Sequence, residues 1–220
     1  WKNEILFDPT RWRDGASPLH AVLHESYGIP DGYALFRQKP EWGEGFPVGQ
    51  VRVKELIAAS DDAHTGLWRF LTSVDLFPEI RYPNAPVDDS LRWKVADPRR
   101  VTRKRWDALW LRVLDVPTAL AARAYAADGS LRFRLTDRFR PDNDGVYELE
   151  VVEGSGVCRR VRGAEPDLSF DIDVLGGLYL GGGDAVSLAR GGRIEGGDEA
   201  VVRLQRMFRG DSQPWCEEIF

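Results

Sequence analysis

The stretch Asp107-Ala108-Leu109-Trp110-Leu111-Arg112-Val113-Leu114-Asp115-Val116-Pro117-Thr118-Ala119-Leu120 divides the chain and sets the reading of both sides. It closes an apolar run, Val101–Leu114, and stops that run at Asp115. A carboxylate at that point can accept from the free N–H groups of a following first turn. Pro117 fits such a turn because its missing N–H would be unbonded there anyway. The pattern predicts a helix capped by Asp115 and running through Leu120 to Ala124. Trp106 and Trp110, four residues apart, read as core aromatics, with a ligand wall as the alternative. Two α+β domains are expected to meet just before this stretch, 1–103 and 104–220.

Working towards the N-terminus, the helix-start acids Asp88-Asp89 precede Leu91, Trp93 and Val95, and Asp97-Pro98 stops that short helix. Phe77–Tyr82 reads as a strand. Before it, Ser60-Asp61-Asp62 supplies a cap and first-turn acids for a helix with Leu67, Trp68, Leu71 and Val74 at helical spacing. Leu19–Leu23, Tyr33–Arg37 and Gln50–Ala58 read as strands, the last two joined by a loop rich in glycine and proline, Lys39 to Gly49. His20 and His24 fall on one face of the first of these strands. Together the elements describe a small α/β layer.

Towards the C-terminus, Leu131–Leu135 and Gly145–Val152 alternate apolar and charged residues, as half-buried strands do. Cys158–Val161 and Leu168–Ile172 complete an antiparallel sheet. Helices follow at Asp173–Leu180, at Ala185–Ala189 capped by Asp184, and at Glu199–Phe208 capped by Asp198. The run Gly191–Gly197 reads as a turn. Pro214-Trp215-Cys216-Glu217-Glu218-Ile219-Phe220 is a rigid aromatic ending, expected to dock rather than fray.

Composition excludes several functions. Thirty basic and 35 acidic residues give a net charge of −5, evenly spread along the chain, which speaks against a nucleic-acid partner. No apolar run approaches the roughly 18 residues of a membrane span. Two cysteines, Cys158 and Cys216, are too few for a disulfide framework and read as reduced thiols of a cytoplasmic protein. With His20, His24 and His64 far from both in sequence, a metal site is not expected. No GxxxxGK[ST] loop, HExxH or GxSxG elbow occurs. The sequence opens on Trp1 and its only methionine is Met207, so a preceding segment is expected to be missing.

The stretch 107–120 resembles the LW(L/V)RxxDxxxAL signature of the Eis family of acetyltransferases. Leu168-Ser169-Phe170-Asp171-Ile172 and Leu175-Gly176-Gly177-Leu178-Tyr179-Leu180-Gly181-Gly182 resemble that family's sterol-carrier-like domain. Ser17-Pro18-Leu19, Asp31-Gly32-Tyr33-Ala34-Leu35 and Val87-Asp88-Asp89-Ser90-Leu91-Arg92-Trp93 resemble its central domain. The resemblance covers essentially all 220 residues. It implies an α+β chain: a degenerate GNAT-like α/β domain followed by a sterol-carrier-protein-like antiparallel sheet with helices.

The family's N-terminal GNAT domain, which binds acetyl-CoA, has no counterpart here, and no [RQ]xxGx[GA] loop opens a helix in this chain. By resemblance the whole protein is a homohexamer that acetylates amines, including aminoglycosides and lysine side chains. This chain is expected to contribute the C-terminal carboxylate of Phe220 as general base. Glu218, Asp115 and Trp110 are expected to line the substrate pocket. Acetyl-CoA is expected on the missing domain, no metal is expected, and the fragment alone is expected to be inactive. Two rival functions come from other classes. One is an apolar-ligand module with a cavity along Leu168–Leu180, and the other is an oligomerisation scaffold.

Overall fold

The computed structural model describes residues 6–216, and the chain falls into two compact units that divide between Arg105 and Trp106.

In the first unit, strands β1 (His20–Ser26), β2 (Ile29–Lys39) and β3 (Gln50–Ala58) run antiparallel. Helix α1 (Asp61–Thr72) follows, and strand β4 (Glu79–Arg81) then adds to β3 in parallel. A single turn of helix, α2 (Leu91–Lys94), comes later. The α1 start is as the sequence predicts: the Ser60 hydroxyl accepts from the Ala63 N–H at 3.1 Å. Helical spacing aims Leu67, Trp68 and Leu71 at the sheet, where they bury Ala34, Phe36, Val51, Val53 and Leu56.

Asp31-Gly32-Tyr33-Ala34-Leu35 shows why that sequence suits this place. The Asp31 carboxylate pairs with His24 Nδ1 at 2.6 Å and accepts from the hydroxyls of Ser26 at 2.8 Å and Ser60 at 3.3 Å. It thereby ties β1, β2 and the α1 cap together, and these bonds, His24's first, hold its pKa below the usual carboxylate value. Gly32 lets α1 close on the sheet, since a Cβ there would sit 3.2 Å from both Ala63 Cβ and Leu67 Cδ1. The Tyr33 hydroxyl donates to the buried Glu55 at 2.7 Å. Asp89 does more than start a helix. It accepts from the Leu91 N–H at 2.7 Å and lies 3.2 Å from His64 Nε2.

The second unit holds a five-stranded sheet of order β7-β6-β5-β8-β9. Its strands are β5 (Gly129–Thr136), β6 (Gly145–Val152), β7 (Ser155–Val161), β8 (Leu168–Asp171) and β9 (Ile194–Gly196). Its helices are α3 (Val116–Ala122), α4 (Ile172–Tyr179), α5 (Ala185–Arg190) and α6 (Asp198–Phe208). The sheet is mixed rather than wholly antiparallel, because β8 joins β5 in parallel. Part of the glycine run read as a turn is edge strand β9, which pairs with β8. Alternation places Leu131, Phe133, Leu135, Tyr147, Leu149 and Val151 on the inner face. Phe133 stacks between Tyr147 and Phe170, with ring centroids 5.7 and 5.2 Å away. The helices close this face with Leu120, Leu175, Leu178, Leu204, Met207 and Phe208.

Glu153-Gly154, at φ +50° and +73°, turns β6 into β7 as a tight hairpin requires. Two predicted caps hold: Asp115 accepts from the Thr118 N–H at 3.0 Å and Asp184 from the Ser187 N–H at 3.0 Å. Helix α3 ends at Ala122 rather than Ala124, and Asp198 is the first residue of α6, with Gly197 at its cap position.

Candidate functional site

The segment 101–113 is neither helix nor strand, and its two tryptophans are not core residues. Trp106 is 62% exposed and Trp110 84% exposed. Val113 and Leu111 turn inward instead, Val113 into the core and Leu111 packed against it. Gly176 on α4 permits the close approach, because a Cβ there would lie 2.6 Å from the Leu111 carbonyl oxygen. Leu111 and Val113 thus supply the cover on the core side, and Trp110 lies on the exposed side of the segment.

Arg112 and Asp115 fix the end of this segment and the start of α3. The Arg112 guanidinium donates to Asp137, a carboxylate with no exposed surface. Asp137 also accepts from the N–H groups of Phe139 at 3.1 Å and Arg140 at 2.9 Å, and from Asn143 Nδ2 at 2.9 Å. Burial pushes the Asp137 pKa up. The bond from Asn143, the Arg140 N–H, the Arg112 charge and the Phe139 N–H together outweigh burial and hold it low.

Asp115 caps α3 and lines an open depression of about 340 Å³ with Leu114, Arg140, Asp142, Tyr147 and Arg160. Most of its polar wall is already engaged. Arg160 donates to the carbonyl oxygens of Asp142, at 3.1 Å, and of Asp144. The Tyr147 hydroxyl donates to the Asn143 carbonyl at 2.8 Å, and burial raises its pKa, so it stays protonated at neutral pH. Asp115 and Asp142 contribute acidic side chains to the lining and Arg140 a basic one.

Trp110 does not line this depression. Glu218 and Phe220 lie outside the described residues. Of the four expected site residues, then, the structure places Asp115 in a concave surface and Trp110 on an exposed one. Sequence reasoning passed over Tyr147, Arg140 and Arg160. Tyr147 read as one more alternating strand residue, and the two arginines carry no spacing signal.

Within the stretch expected to line an apolar cavity, Leu168–Leu180, the side chains of Leu168, Phe170, Leu175 and Leu178 are packed in the core, and Gly177 borders an open depression with Gly183 and Leu188. Cys158 is buried on β7, and desolvation, aided by the charge of Asp115, pushes its thiol up to about 12. At neutral pH that thiol is protonated and a poor nucleophile. Among the described residues no group of three or more His, Cys, Asp or Glu is placed to hold a metal. No described helix is long and apolar enough to cross a membrane.

The start of α1 is where a diphosphate such as that of acetyl-CoA could rest on a helix N-terminus. It does not fit one. Ser60 already occupies the Ala63 N–H, and Asp61 and Asp62 place two negative charges where the anion would lie.

Residues 1–113 match the family model of the acetyltransferase (GNAT) domain, and residues 116–217 match that of the sterol carrier protein domain. An uncharacterised N-acetyltransferase of Streptomyces avermitilis is 37% identical over all of this chain and 54% of its own length. The N-acetyltransferase Eis of Mycobacterium tuberculosis is 34% identical over 95% of this chain and 49% of its own length. The crystal structure of Eis1 from Mycobacterium abscessus superposes with a TM-score of 0.75 at 30% identity, covering 92% of this chain and 50% of that one. A GCN5-related N-acetyltransferase from Anabaena variabilis, at 23% identity and a TM-score of 0.76 over 94% of this chain and 52% of its own, shares the fold. This chain thus spans about half the length of these relatives. A GNAT-like sheet with its covering helix, followed by a sterol-carrier-like sheet, is the arrangement these relatives share, and the chain belongs to the acetyltransferase (GNAT) domain family in its Eis-like form.

Proposed function

We propose that this chain is the acceptor-side half of an acetyl-CoA-dependent N-acetyltransferase for cationic amines, aminoglycosides or lysine side chains. The observation that carries the reading is the pairing of Eis-like sequence over nearly the whole chain with an α1 start that does not fit a diphosphate. Acetyl-CoA, the source of the acetyl group, therefore belongs to the half this chain does not include. The enzyme works as a homo-oligomer.

In this reading the carboxylate of Phe220 is the general base. An alkylammonium ion has no lone pair, so it must lose a proton before its nitrogen can attack a thioester carbonyl. A carboxylate within hydrogen-bond reach takes that proton. An α-carboxylate titrates near ~3.5 in water, so desolvation next to the amine must raise its affinity for the proton. Glu218 and Asp115 add negative charge that draws in a polyamine, and the exposed Trp110 gives the amine's apolar face a wall.

The test is release of free thiol from acetyl-CoA with an aminoglycoside as acceptor. The 220-residue chain alone is expected to release none, and the protein that also carries the preceding half is expected to turn over. Turnover by this chain alone would place the co-substrate site here and overturn the division of roles.

A further inference from the structure

After α6 ends at Phe208 the chain crosses back over the loop that follows α4, and two glycines form the floor of that crossing. Gly181 sits at φ +85°, and a Cβ there would lie 3.0 Å from the Phe208 carbonyl oxygen and 3.2 Å from the Gly210 nitrogen. A Cβ on Gly182 would lie 2.7 Å from Pro214 Cγ, 2.9 Å from Pro214 Cδ and 3.6 Å from Gln213 Oε1. Gly182 has no left-handed φ to explain its presence. Only the close approach of Pro214 requires it. A proline ring cannot swing aside, since it is fused to its own backbone, so any side chain at 182 must move the backbone of the segment.

The two flanks of the crossing are fixed by one side chain. Arg123 donates to the carbonyl of Tyr179 at the end of α4, at 2.7 Å, and to that of Phe208 at the end of α6, at 2.8 Å. The floor is therefore rigid, and Pro214 rests on it six residues before Phe220.

We infer that Gly182 is the seat of the C-terminal segment and, through Pro214, the positioning residue for the terminal carboxylate. The inference rests on the reading of that carboxylate as the base. A displacement of about 1 Å at a positioned catalytic group can cost ~100-fold in rate.

The experiment uses the parent-length protein with Gly182→Val, Pro214→Gly, Gly177→Ala and a deletion of Phe220. Gly177→Ala is the control, because nothing lies within 4 Å of a Cβ at that position. Two quantities are read on each: kcat with KM for acetyl-CoA, and the rate at which carboxypeptidase A frees phenylalanine from the native protein. Gly182→Val is expected to lower kcat by about 10- to 100-fold, with KM for acetyl-CoA unchanged and release of phenylalanine accelerated. Pro214→Gly is expected to move both quantities the same way. Because it alters only the segment, it gives the answer if Gly182→Val fails to fold.

Unchanged release in Gly182→Val and Pro214→Gly overturns the seat. Faster release with kcat unchanged, where the deletion abolishes turnover, overturns the positioning role. Full activity in the deletion removes the base reading instead, and faster release in Gly182→Val then still supports the seat.

Discussion

Replacing Arg123 by alanine is expected to destabilise the second unit by about 3 kcal/mol, read as a lower urea midpoint. The guanidinium donates to Tyr179 and Phe208 at the ends of α4 and α6, to Leu178 at 3.4 Å, and to Ala124 at 3.0 Å. The Tyr179 and Phe208 carbonyls belong to the last turns of α4 and α6, where no intrahelical N–H remains to satisfy them. The cation also lies over the rings of Phe208 at 4.3 Å and Tyr125 at 4.6 Å, so its loss removes packing as well as charge. Burial pushes its pKa below the ordinary arginine value, yet it remains a cation at neutral pH. A hydrogen bond to a charged group contributes ~1.5–3 kcal/mol, and partial re-solvation of the freed carbonyls keeps the sum near the stated figure. Arg123→Lys is expected to recover less than half, because one ammonium cannot serve two helix ends. A change below ~0.5 kcal/mol, the range of an ordinary surface substitution, would contradict this account.

Asp137→Asn is expected to cost a similar amount, about 3 kcal/mol at neutral pH, at the low end for a broken buried pair because Arg112 remains partly exposed. The substitution puts an NH2 group among four donors, so at least one bond turns into a donor–donor contact. The sign of the pH dependence follows from the lowered pKa of Asp137. The folded protein holds this proton less tightly than the unfolded chain does. The stabilisation is thus complete above the ordinary carboxylate pKa of ~3.9 and is lost as pH falls through the lower folded value. Equilibrium unfolding of both proteins from pH 7 down to pH 3 should show the gap between them closing below about pH 4. A gap constant over that range would mean that Asp137 is not ionised in the fold.

Much of this architecture is legible in the sequence, and the illegible parts have physical causes. Strands β3 and β6 have the predicted bounds because alternation with charged residues marks both faces of a strand. Ser60, Asp115 and Asp184 cap helices because each side chain reaches only its own first turn. Alternation carries no information on strand direction, so the parallel pairing of β8 with β5 is invisible in it. Strand β9 hides between glycines, one of them at φ +142°, where turn chemistry dominates the local reading. Trp106 and Trp110 mislead because apolarity signals a need for cover without saying what supplies it. Asp137 and Arg123 act across sequence separations of 25 and 85 residues, beyond any local pattern. Of the candidate site, Asp115 was legible as a cap and Trp110 as part of a resemblance. Glu218 and Phe220 rest on the resemblance alone.

The central claim is that the carboxylate of Phe220 takes the proton from the amine. It is tested most directly by moving that carboxylate without touching any other group. One glycine added after Phe220 shifts it by about 3.5 Å, and deletion of Phe220 withdraws it by a similar distance. The measurement is kcat for acetyl transfer to an aminoglycoside in the parent-length protein, with thermal midpoint and oligomer size recorded alongside. Both variants are expected to lose about 100-fold or more in kcat, the usual contribution of a general base, at unchanged midpoint and size. Turnover equal to that of the unaltered protein in both would contradict the claim and leave these 220 residues as pocket wall and scaffold.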